Sequence, residues 1–488
     1  MLRICQLLLW FSGFTLPGQA YPGVTMRVSQ KWLDYVCTVG MDFLHQMLQN
    51  DHLPDISEST RMFGSVDYKI SGVFIEEFEL PKASAFPVPS TDVHLTIENA
   101  KAKVYGNWDV KHWLIKDRGS FTLLLSGISI EAQVTTFKDS SDRPSVFLSF
   151  CNSEVKKAKL HLSGGASWLY NLFTVFLETP IKNNVNKKLC PKVDKAVSIL
   201  KRELATFQVT SNWDGVAVVN YGLISRPKVQ GMHIDLDLKG IVHQVGAPLQ
   251  ESSLAFPITL PEGRGSMIYV GLSESFFNSL ANTYFKSNVL KLTISQEQFP
   301  HAYWLRTGDY GAVIPQLNSY YPISQAMVIM VNATNTPVVR LMPKKVTVEL
   351  YGILQALVVL PYFITKEVYS INLAANLTVN TLHLSDLNLA ASFTMESLKF
   401  SNYKSSVGII DIAVLERSLA PVIRDSVLRG INEGLSKGIP MPSLANITLQ
   451  ESTIAVIQGG ILVSADMYYI PWKNVMDILP PKQRTPIF

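Results

Sequence analysis

Residues 151–190 read CNSEVKKAKLHLSGGASWLYNLFTVFLETPIKNNVNKKLC, and this stretch decides the fold prediction. Residues 151–165 favour an extended strand, and the remainder favours a helix. In the helical part, apolar residues recur about every 3.6 positions and predict one apolar stripe. Its members are Trp168, Leu172, Phe176, Ile181, Val185 and Leu189. If the cysteines at the two ends pair, the bridge ties the helix to the strand before it, and the rest of the chain must supply the other strands of that sheet.

The chain has four cysteines, at positions 5, 37, 151 and 190. Cys5 falls in a predicted signal peptide. Cys37 lies among apolar helix positions, which favours a small buried residue over a reactive thiol. An oxidising compartment favours one structural disulfide, so Cys151 and Cys190 are the predicted pair. The sequence has no CxxC motif and no Cys/His cluster that would predict zinc.

The first twenty residues have the pattern of a secretory signal peptide. Arg3 precedes an apolar run, and a small-x-small motif ends the segment. We therefore predict a mature chain that starts at Tyr21 and is secreted to the extracellular space. No later stretch reaches the roughly 18 unbroken apolar residues of a membrane helix. The nearest candidate, Leu350–Ile364, is interrupted by Pro361 and favours a buried strand.

Three glycosylation sequons follow in the second half of the chain. They begin at Asn332, Asn376 and Asn446. In a secreted protein we expect at least one of them to be used.

Composition limits the classes of function that are open to this chain. A length of 488 residues predicts two domains or a large duplication. The chain is 47% hydrophobic but only 17% charged, which requires extensive burial or an enclosed apolar ligand. A net charge of +4 gives little support for a nucleic acid or another polyanion as a partner.

Hydrophobic periodicity gives two halves with the same order of elements. The first half begins with a helix from about Ser29 and continues with period-two strands such as Val93–Ile97. A helix that Pro180 and Pro191 should bend or break follows, and strands at 216–224 and 233–242 end the half. The second half repeats this order, and its long helix contains Pro421. The pattern predicts an α+β fold in which each half has long, twisted antiparallel strands and amphipathic helices.

The predicted domain boundaries follow from this order. The signal peptide is residues 1–20, and the first domain is residues 21–240. A proline-rich linker with part of a shared sheet covers 241–271. The second domain covers 272–469, and a tail covers 470–488.

One basic segment, VYGNWDVKHWLIKDRGSF at residues 104–121, lies between strands and is predicted to be a hairpin tip. Its cations and aromatic side chains would suit an anionic amphiphile or a membrane interface. They are Lys111, His112, Lys116, Arg118, Trp108 and Trp113. Asp109 and Asp117 offset part of the charge, so an ordinary solvated hairpin end is an equal alternative.

The sequence contains no specific catalytic pattern. It lacks a G-x-S-x-G nucleophile elbow, an H-E-x-x-H motif and a phosphate-binding loop. Its nine histidines are scattered. We therefore predict that the protein is not an enzyme and carries neither a metal nor a catalytic cofactor.

Five short segments together resemble one family. They are PGVTMRVSQKWLDY at 22–35, FELP at 78–81, VNYGLI at 219–224, MIYVGLSESFFNS at 267–279 and KGIPMP at 437–442. Their order resembles that in the family of bactericidal/permeability-increasing protein, lipopolysaccharide-binding protein and the plasma lipid-transfer proteins. The likeness extends from Pro22 to about Tyr469.

The resemblance implies a boomerang of two barrel-like domains joined by a central sheet. Each domain would hold a bound phospholipid in an apolar pocket under its helices, and the family's disulfide corresponds in position to Cys151 and Cys190. The apolar faces of the first two helices supply the candidate pocket residues in the first domain. They are Trp32, Val36, Phe43, Trp168, Leu172 and Phe176.

This chain differs from the antibacterial members of that family at the end of the first domain. Those members are lysine-rich there, whereas this chain has Arg61, Lys69, Lys111, Lys116 and Arg118, with Asp67, Asp109 and Asp117 between them. Clustered cations attract the phosphates of lipopolysaccharide, and here the aspartates interrupt the cluster.

The resemblance therefore supports lipid binding more than lipopolysaccharide binding. We predict a secreted protein that binds or transfers phospholipids or other amphipathic lipids and works at membrane or lipoprotein surfaces. Recognition of lipopolysaccharide through this basic end is the alternative, and a hydrolase is a third hypothesis that a serine-reactive probe would test.

Overall fold

The protein is described by a computed structural model that covers residues 22–49, 51–60, 66–81, 83–89, 92–112, 115–164, 170–248, 258–262, 265–296, 305–312, 314–385 and 387–470. The predicted signal peptide, Arg61, Trp113, Trp168 and most of the predicted tail lie outside these ranges. The helices are α1 (Gln30–Leu48), α2 (Tyr170–Leu204), α3 (Glu274–Lys286), α4 (Gln316–Tyr320) and α5 (Ile412–Ser436). Within the described ranges, no helix is both long enough and apolar enough to cross a membrane.

The strands divide between the two halves of the chain. The first half has β1 (Val24–Ser29), β2 (Ile56–Thr60), β3 (Val66–Glu79), β4 (Ser84–Val88), β5 (Asp92–His112), β6 (Ile115–Lys138), β7 (Pro144–Ser163), β8 (Thr210–Asn212), β9 (Ala217–Asn220), β10 (Lys228–Gln230), β11 (His233–Leu238) and β12 (Ile241–Gln244). The second half has β13 (Ile268–Ser273), β14 (Lys291–Ile294), β15 (Ala326–Ala333), β16 (Val338–Met342), β17 (Lys345–Val359), β18 (Thr365–Ser385), β19 (Asn388–Ser405), β20 (Ile439–Pro440), β21 (Ile447–Ile457) and β22 (Gly460–Tyr469).

The first half is built on a long antiparallel sheet with the order β2-β3-β5-β6-β7, and β4 pairs with β5. Side chains that alternate along β5 and β6 point into one apolar core, including Val104, Trp108 and Leu123. The predicted hairpin at 104–121 is confirmed, because His112 at the end of β5 pairs with Ile115 at the start of β6. Both strands run further into this segment than the sequence suggested. Trp108 is 3% exposed, and its indole N–H donates to the Ser120 carbonyl at 3.1 Å, so it is a core residue and not an interfacial one.

Helix α2 covers this sheet with the predicted apolar stripe. Leu177, Ile181, Val185, Leu189 and Val193 are all at most 3% exposed. The helix is continuous through Pro180 and Pro191, so neither proline breaks it. Burial of the stripe on both sides of each proline offsets the loss of a backbone hydrogen bond.

A disulfide joins α2 to β7. Cys151 on β7 and Cys190 on α2 are bonded, with 5.8 Å between their Cα atoms. Close by, the Ser153 hydroxyl donates to the Asn186 side-chain oxygen at 2.9 Å. The bridge therefore fixes the C-terminal half of α2 against the outer strand of the sheet.

The second half repeats this plan. Its sheet has the order β14-β15-β17-β18-β19-β20, and β16 pairs with β17. Helix α5 packs on β19 and buries Leu415, Leu419 and Ile423. The Asp411 carboxylate caps this helix by accepting from the backbone N–H groups of Ala413 at 3.0 Å and Val414 at 3.2 Å.

A six-stranded sheet, β10-β11-β1-β13-β22-β21, connects the halves and takes strands from both ends of the chain. The Arg27 guanidinium pairs with Asp235 at 2.7 Å, and Asp466, 3% exposed, accepts from the Met267 backbone N–H at 2.9 Å. The chain therefore has the predicted α+β architecture of two domains with curled antiparallel sheets. The residue boundaries given above for the domains stay a prediction.

Candidate functional site

An apolar cavity of about 250 Å³ lies between α1, α2 and the central sheet, and we call it the N cavity. Its lining has no charged side chain. Apart from Thr136, Ser145 and Ser443, it consists of apolar side chains, Gly40 and Cys37. Burial beside this wall raises the pKa of the Cys37 thiol to about 11, so the thiol stays protonated at neutral pH. An apolar space of this kind favours apolar ligands.

The structure places the predicted pocket residues in different ways. Trp32 and Val36 line the N cavity. Phe43 lines a smaller adjoining space of about 110 Å³, which we call the mouth pocket. Leu172 and Phe176 belong to α2, but their side chains lie outside the described part of the structure, as does all of Trp168.

Part of the N-cavity wall comes from the second half of the chain. Leu387, Met441, Leu444 and Met467 line it together with the helices of the first half. The Met441 backbone N–H donates to the Leu387 carbonyl at 2.8 Å, which fixes two of these residues to each other. The N cavity is therefore not a property of the first half alone.

The mouth pocket combines apolar walls with an acidic and aromatic rim. It is lined by Tyr35, Glu203 and Tyr469 beside the apolar residues that it shares with the N cavity. Burial, followed by the neighbouring Glu203 carboxylate, raises the pKa of Tyr469 to about 12. The Tyr35 hydroxyl accepts from the Tyr469 backbone N–H at 3.0 Å. These polar groups could face the head of an amphiphile whose tail lies deeper.

A second and larger cavity, of about 620 Å³, lies between α3, α5 and the second long sheet, and we call it the C cavity. Its volume is within the range of about 300–1,000 Å³ that is usual for ligand pockets. Most of the lining is aliphatic or aromatic. The polar exceptions are Asp214, Tyr284, Lys291, Asn332, Tyr351 and Ser426.

The carboxylate of Asp214, the acidic group in the C-cavity wall, accepts its hydrogen bonds from the protein itself. Asp214 Oδ1 accepts from the backbone N–H groups of Val216 at 2.9 Å and Ala217 at 3.1 Å, and Oδ2 accepts from the Tyr284 hydroxyl. Burial alone would raise the pKa of the Asp214 carboxyl, but these hydrogen bonds hold it below its usual value. The Trp213 ring packs edge-on to Tyr284 at 5.7 Å. The group therefore closes a turn at the cavity edge.

Glycines in helices leave both cavities open. Gly40 in α1 lines the N cavity, while Gly430 and Gly434 in α5 line the C cavity. A Cβ atom at any of the three positions would meet nothing within 4 Å. Glycine inside a helix costs about 1 kcal/mol relative to alanine. Glycine at these wall positions leaves room that a larger side chain would occupy, and Gly430 and Gly434 are themselves exposed.

The basic residues predicted at the end of the first sheet do lie next to one another. Across the strands, Lys111 pairs with Lys116 and with Asp67, and Asp109 pairs with Arg118 and with Lys69. The four cations are exposed. Each row of the sheet also contains an aspartate, so the cluster is a mixture of charges; Arg61 lies outside the described residues.

The three sequons have different surroundings. Asn376 and Asn446 are exposed. Asn332 is half-buried on β15 and lines the C cavity, and its side-chain N–H group donates to Gln355 at 3.4 Å. A glycan on Asn332 would require the amide to leave this wall.

When the chain is produced through the secretory pathway, we expect glycans on Asn376 and Asn446 and none on Asn332. Replacing Asn376 or Asn446 with Gln should each remove one glycan mass, measured by intact mass before and after enzymatic deglycosylation. Asn332→Gln should leave the glycan mass unchanged. A loss of glycan mass in Asn332→Gln would contradict this expectation.

The described residues contain no group of three or more His, Cys, Asp or Glu side chains placed to hold a metal ion. Among the groups that line the cavities, Cys37, Asp214, Tyr284 and Tyr469 have shifted pKa values, and burial is the largest single influence at each. The candidate site therefore consists of two apolar cavities with polar residues at their edges.

A fold of two long antiparallel sheets, each with an apolar cavity under amphipathic helices, defines a class of two-domain proteins with internal apolar cavities. Comparison with known proteins gives the family. The profile of the LBP / BPI / CETP family, N-terminal domain, matches residues 32–201, and that of its C-terminal domain matches residues 211–469. The chain belongs to this family.

Individual relatives match over nearly the whole chain. The bactericidal permeability-increasing protein of Sebastes schlegelii is 32% identical over 92% of this chain and 95% of its own length. The BPI fold-containing family C protein of Homo sapiens is 28% identical over 95% of this chain and 92% of its own. A crystal structure of lipopolysaccharide binding protein has the same fold, with a TM-score of 0.63 and 24% identity over 92% of this chain and 99% of that chain.

The sequence did not predict the residues that the second half contributes to the N cavity and the mouth pocket. Leu387 and Met441 are far from α1 in sequence, and no periodic pattern marks them as walls of the N cavity. Glu203 and Tyr469 meet only because α2 ends beside the last strand. The one available signal was glycine at apolar helix positions, since Gly40, Gly430 and Gly434 interrupt otherwise regular helices.

Proposed function

We propose that this protein is a secreted lipid-binding protein that holds the acyl chains of phospholipid-like amphiphiles, one ligand in each cavity, and passes them between lipid surfaces. The observation that supports this most directly is the pair of apolar cavities, each under an amphipathic helix and each kept open by helical glycine. Several family relatives are named for lipopolysaccharide, which is itself an acylated amphiphile.

The chemistry of the walls favours acyl chains over polar ligands. Removal of apolar surface from water stabilises a bound chain by about 25 cal/mol per Å² before entropic costs. The N-cavity wall has only three hydroxyl side chains and no charge, so it could not neutralise an ionic group. A head group would therefore lie at the mouth pocket, and the function is binding rather than catalysis.

Identification of the lipid that co-purifies with the secreted protein tests this proposal. Native mass spectrometry is expected to show two lipid masses per chain, and organic extraction should release acyl lipids of matching mass. Delipidated protein should take up a fluorescent phospholipid from one vesicle population and deliver it to another. A protein that carries no lipid and transfers none would refute the proposal.

Recognition of lipopolysaccharide by the basic end of the first sheet is a second candidate function. The observation that favours it is the register of β3, β5 and β6, which places Lys69, Lys111, Lys116 and Arg118 in adjacent rows on an exposed surface. Clustered cations of this kind attract phosphates, although the neighbouring aspartates weaken the field.

We expect Lys111→Ala/Lys116→Ala/Arg118→Ala to weaken binding to lipopolysaccharide at low salt by about tenfold if this second function exists, since exposed charge pairs contribute little individually. The wild-type affinity should fall as salt rises, and the variant should show a smaller salt dependence. The matched control is Lys101→Ala/Lys103→Ala/Lys159→Ala, which removes three cations from the middle of the same sheet. Wild-type protein that binds no lipopolysaccharide at low salt would exclude this function.

A further inference from the structure

The five most exposed large apolar side chains of the described residues lie at one end of the second domain. All other large apolar side chains there are at most 45% exposed. We call the five the apolar tip, and they are Tyr320 (62% exposed), Ile323 (74%), Tyr362 (93%), Ile364 (59%) and Ile409 (79%). Single exposed apolar residues are ordinary, but this concentration is not.

Backbone pairing shows that three separate loops meet at this end. Val359, the last residue of β17, pairs with both Ala326 at the start of β15 and Thr365 at the start of β18. The loop after β19 reaches the same place, because the Ser406 backbone N–H donates to the Val368 carbonyl at 2.9 Å. The loops that carry the apolar tip are therefore neighbours around one sheet end.

The apolar tip is separate from the C cavity. The cavity wall on β17 ends at Gly352, and Val359 follows seven residues later in the same strand. At a rise of about 3.4 Å per residue, this distance is roughly 24 Å. The tip therefore does not line the C cavity, and lipid binding in that cavity does not explain why these side chains are exposed.

The backbone at Tyr362 forms a tight turn that leaves the side chain exposed. Its φ is +63° and its ψ is +24°, a left-handed conformation that is unfavourable for a tyrosine. The side chain is 93% exposed, so packing within the protein does not compensate for this conformation. Exposed Lys344 and Glu451 also have a positive φ, so the conformation alone names no partner; it leaves the Tyr362 ring at the surface of the tip.

Charge around the tip identifies the kind of partner. The loops 305–312, 320–325, 360–367 and 404–411 carry three cations and three anions, all exposed. They are Arg306, Lys366, Lys404, Asp309, Glu367 and Asp411. The loops therefore carry no net charge. An anionic membrane would attract a net positive patch, whereas a zwitterionic head-group layer has no net charge and matches this neutral surface.

We propose that the apolar tip docks the second domain onto a zwitterionic phospholipid surface by inserting these side chains among the head groups. Isoleucine side chains on short loops can enter the acyl boundary, while tyrosine keeps its hydroxyl at the polar level. The contact depends on apolar burial and is insensitive to salt. It is distinct from the basic residues at the far end of the first sheet.

Flotation with phosphatidylcholine vesicles tests this docking. The variant Ile323→Ser/Tyr362→Ser/Ile409→Ser should bind vesicles about thirtyfold more weakly than wild type, since three partly buried side chains are lost. The control Leu124→Ser/Val245→Ser/Met342→Ser removes apolar side chains of 41–44% exposure from other surfaces and should bind like wild type. Wild-type binding should change little between low and high salt, and both variants should keep their internal lipid.

Two further measurements separate docking from other roles. Tyr362→Trp should show a blue-shifted emission on vesicles and quenching by lipids brominated near the head group. Tyr362→Asn suits the left-handed backbone, so it should keep or raise the thermal midpoint while it weakens docking. Wild-type protein that does not float, a triple variant that floats normally, or a triple variant whose only change is loss of self-association or of a protein complex would overturn the proposal.

Discussion

Removal of the bridge between Cys151 and Cys190 is expected to release lipid from the N cavity and to leave the C cavity filled. The two cysteines are 39 positions apart, and a closed loop of that length is worth about 4 kcal/mol in the chain-entropy account. Val193, Val197 and Leu200 follow the bridge on α2 and form one wall of the N cavity. No described residue of α2 lines the C cavity.

The measurement is lipid stoichiometry by native mass spectrometry during a lipid-exchange time course. The double variant Cys151→Ala/Cys190→Ala avoids a new free thiol and should lose one lipid early while the second remains. Cys37→Ala is the matched control, since it removes a thiol from the same cavity wall and keeps the bridge. If both lipids leave at the same rate in the double variant, α2 is not what retains lipid in the N cavity.

Repeating periodic patterns predicted the elements of this fold well. The stripe Ile181, Val185 and Leu189 identified α2, and period-two alternation identified the long strands, because burial on one face requires these spacings. The same alternation continues through Val104, Trp108 and Val110, so the predicted hairpin consists of paired strand up to His112 and Ile115. The buried side chains in this segment hold the two strands against the core, and the charged side chains lie on the exposed face.

The cavities could not be located from the sequence, because their walls join residues from distant parts of the chain. Trp32 and Val36 were found from the apolar face of α1, but the same pattern would describe a fully packed core. What makes a cavity is missing volume, and missing volume depends on how α1, α2 and the segment around Met441 meet. The apolar tip was missed for a similar reason, since Ile323, Tyr362 and Ile409 are far apart in sequence.

Filling one cavity at a time gives the sharpest test of where lipid is bound. Gly40→Phe places a large side chain in the N cavity, and Gly430→Phe/Gly434→Phe places two in the C cavity, where open space surrounds each position. Each variant should carry one lipid per chain instead of two. Each should also unfold at a higher temperature than delipidated wild type, because apolar filling and the loss of a helical glycine both stabilise the helix.

The alanine variants at the same positions separate space from stability. Gly40→Ala should stabilise the protein by about 1 kcal/mol through helix propensity and still bind lipid in the N cavity, since a methyl group leaves most of the volume free. Gly430→Ala should do the same for the C cavity. If Gly40→Phe and the α5 double variant both kept two lipids, the acyl chains would lie outside these cavities. If either variant lost both lipids, the two sites would be coupled. That coupling would pass through residues 387–389, because Leu387 lines the N cavity and Leu389, at the start of β19, lines the C cavity.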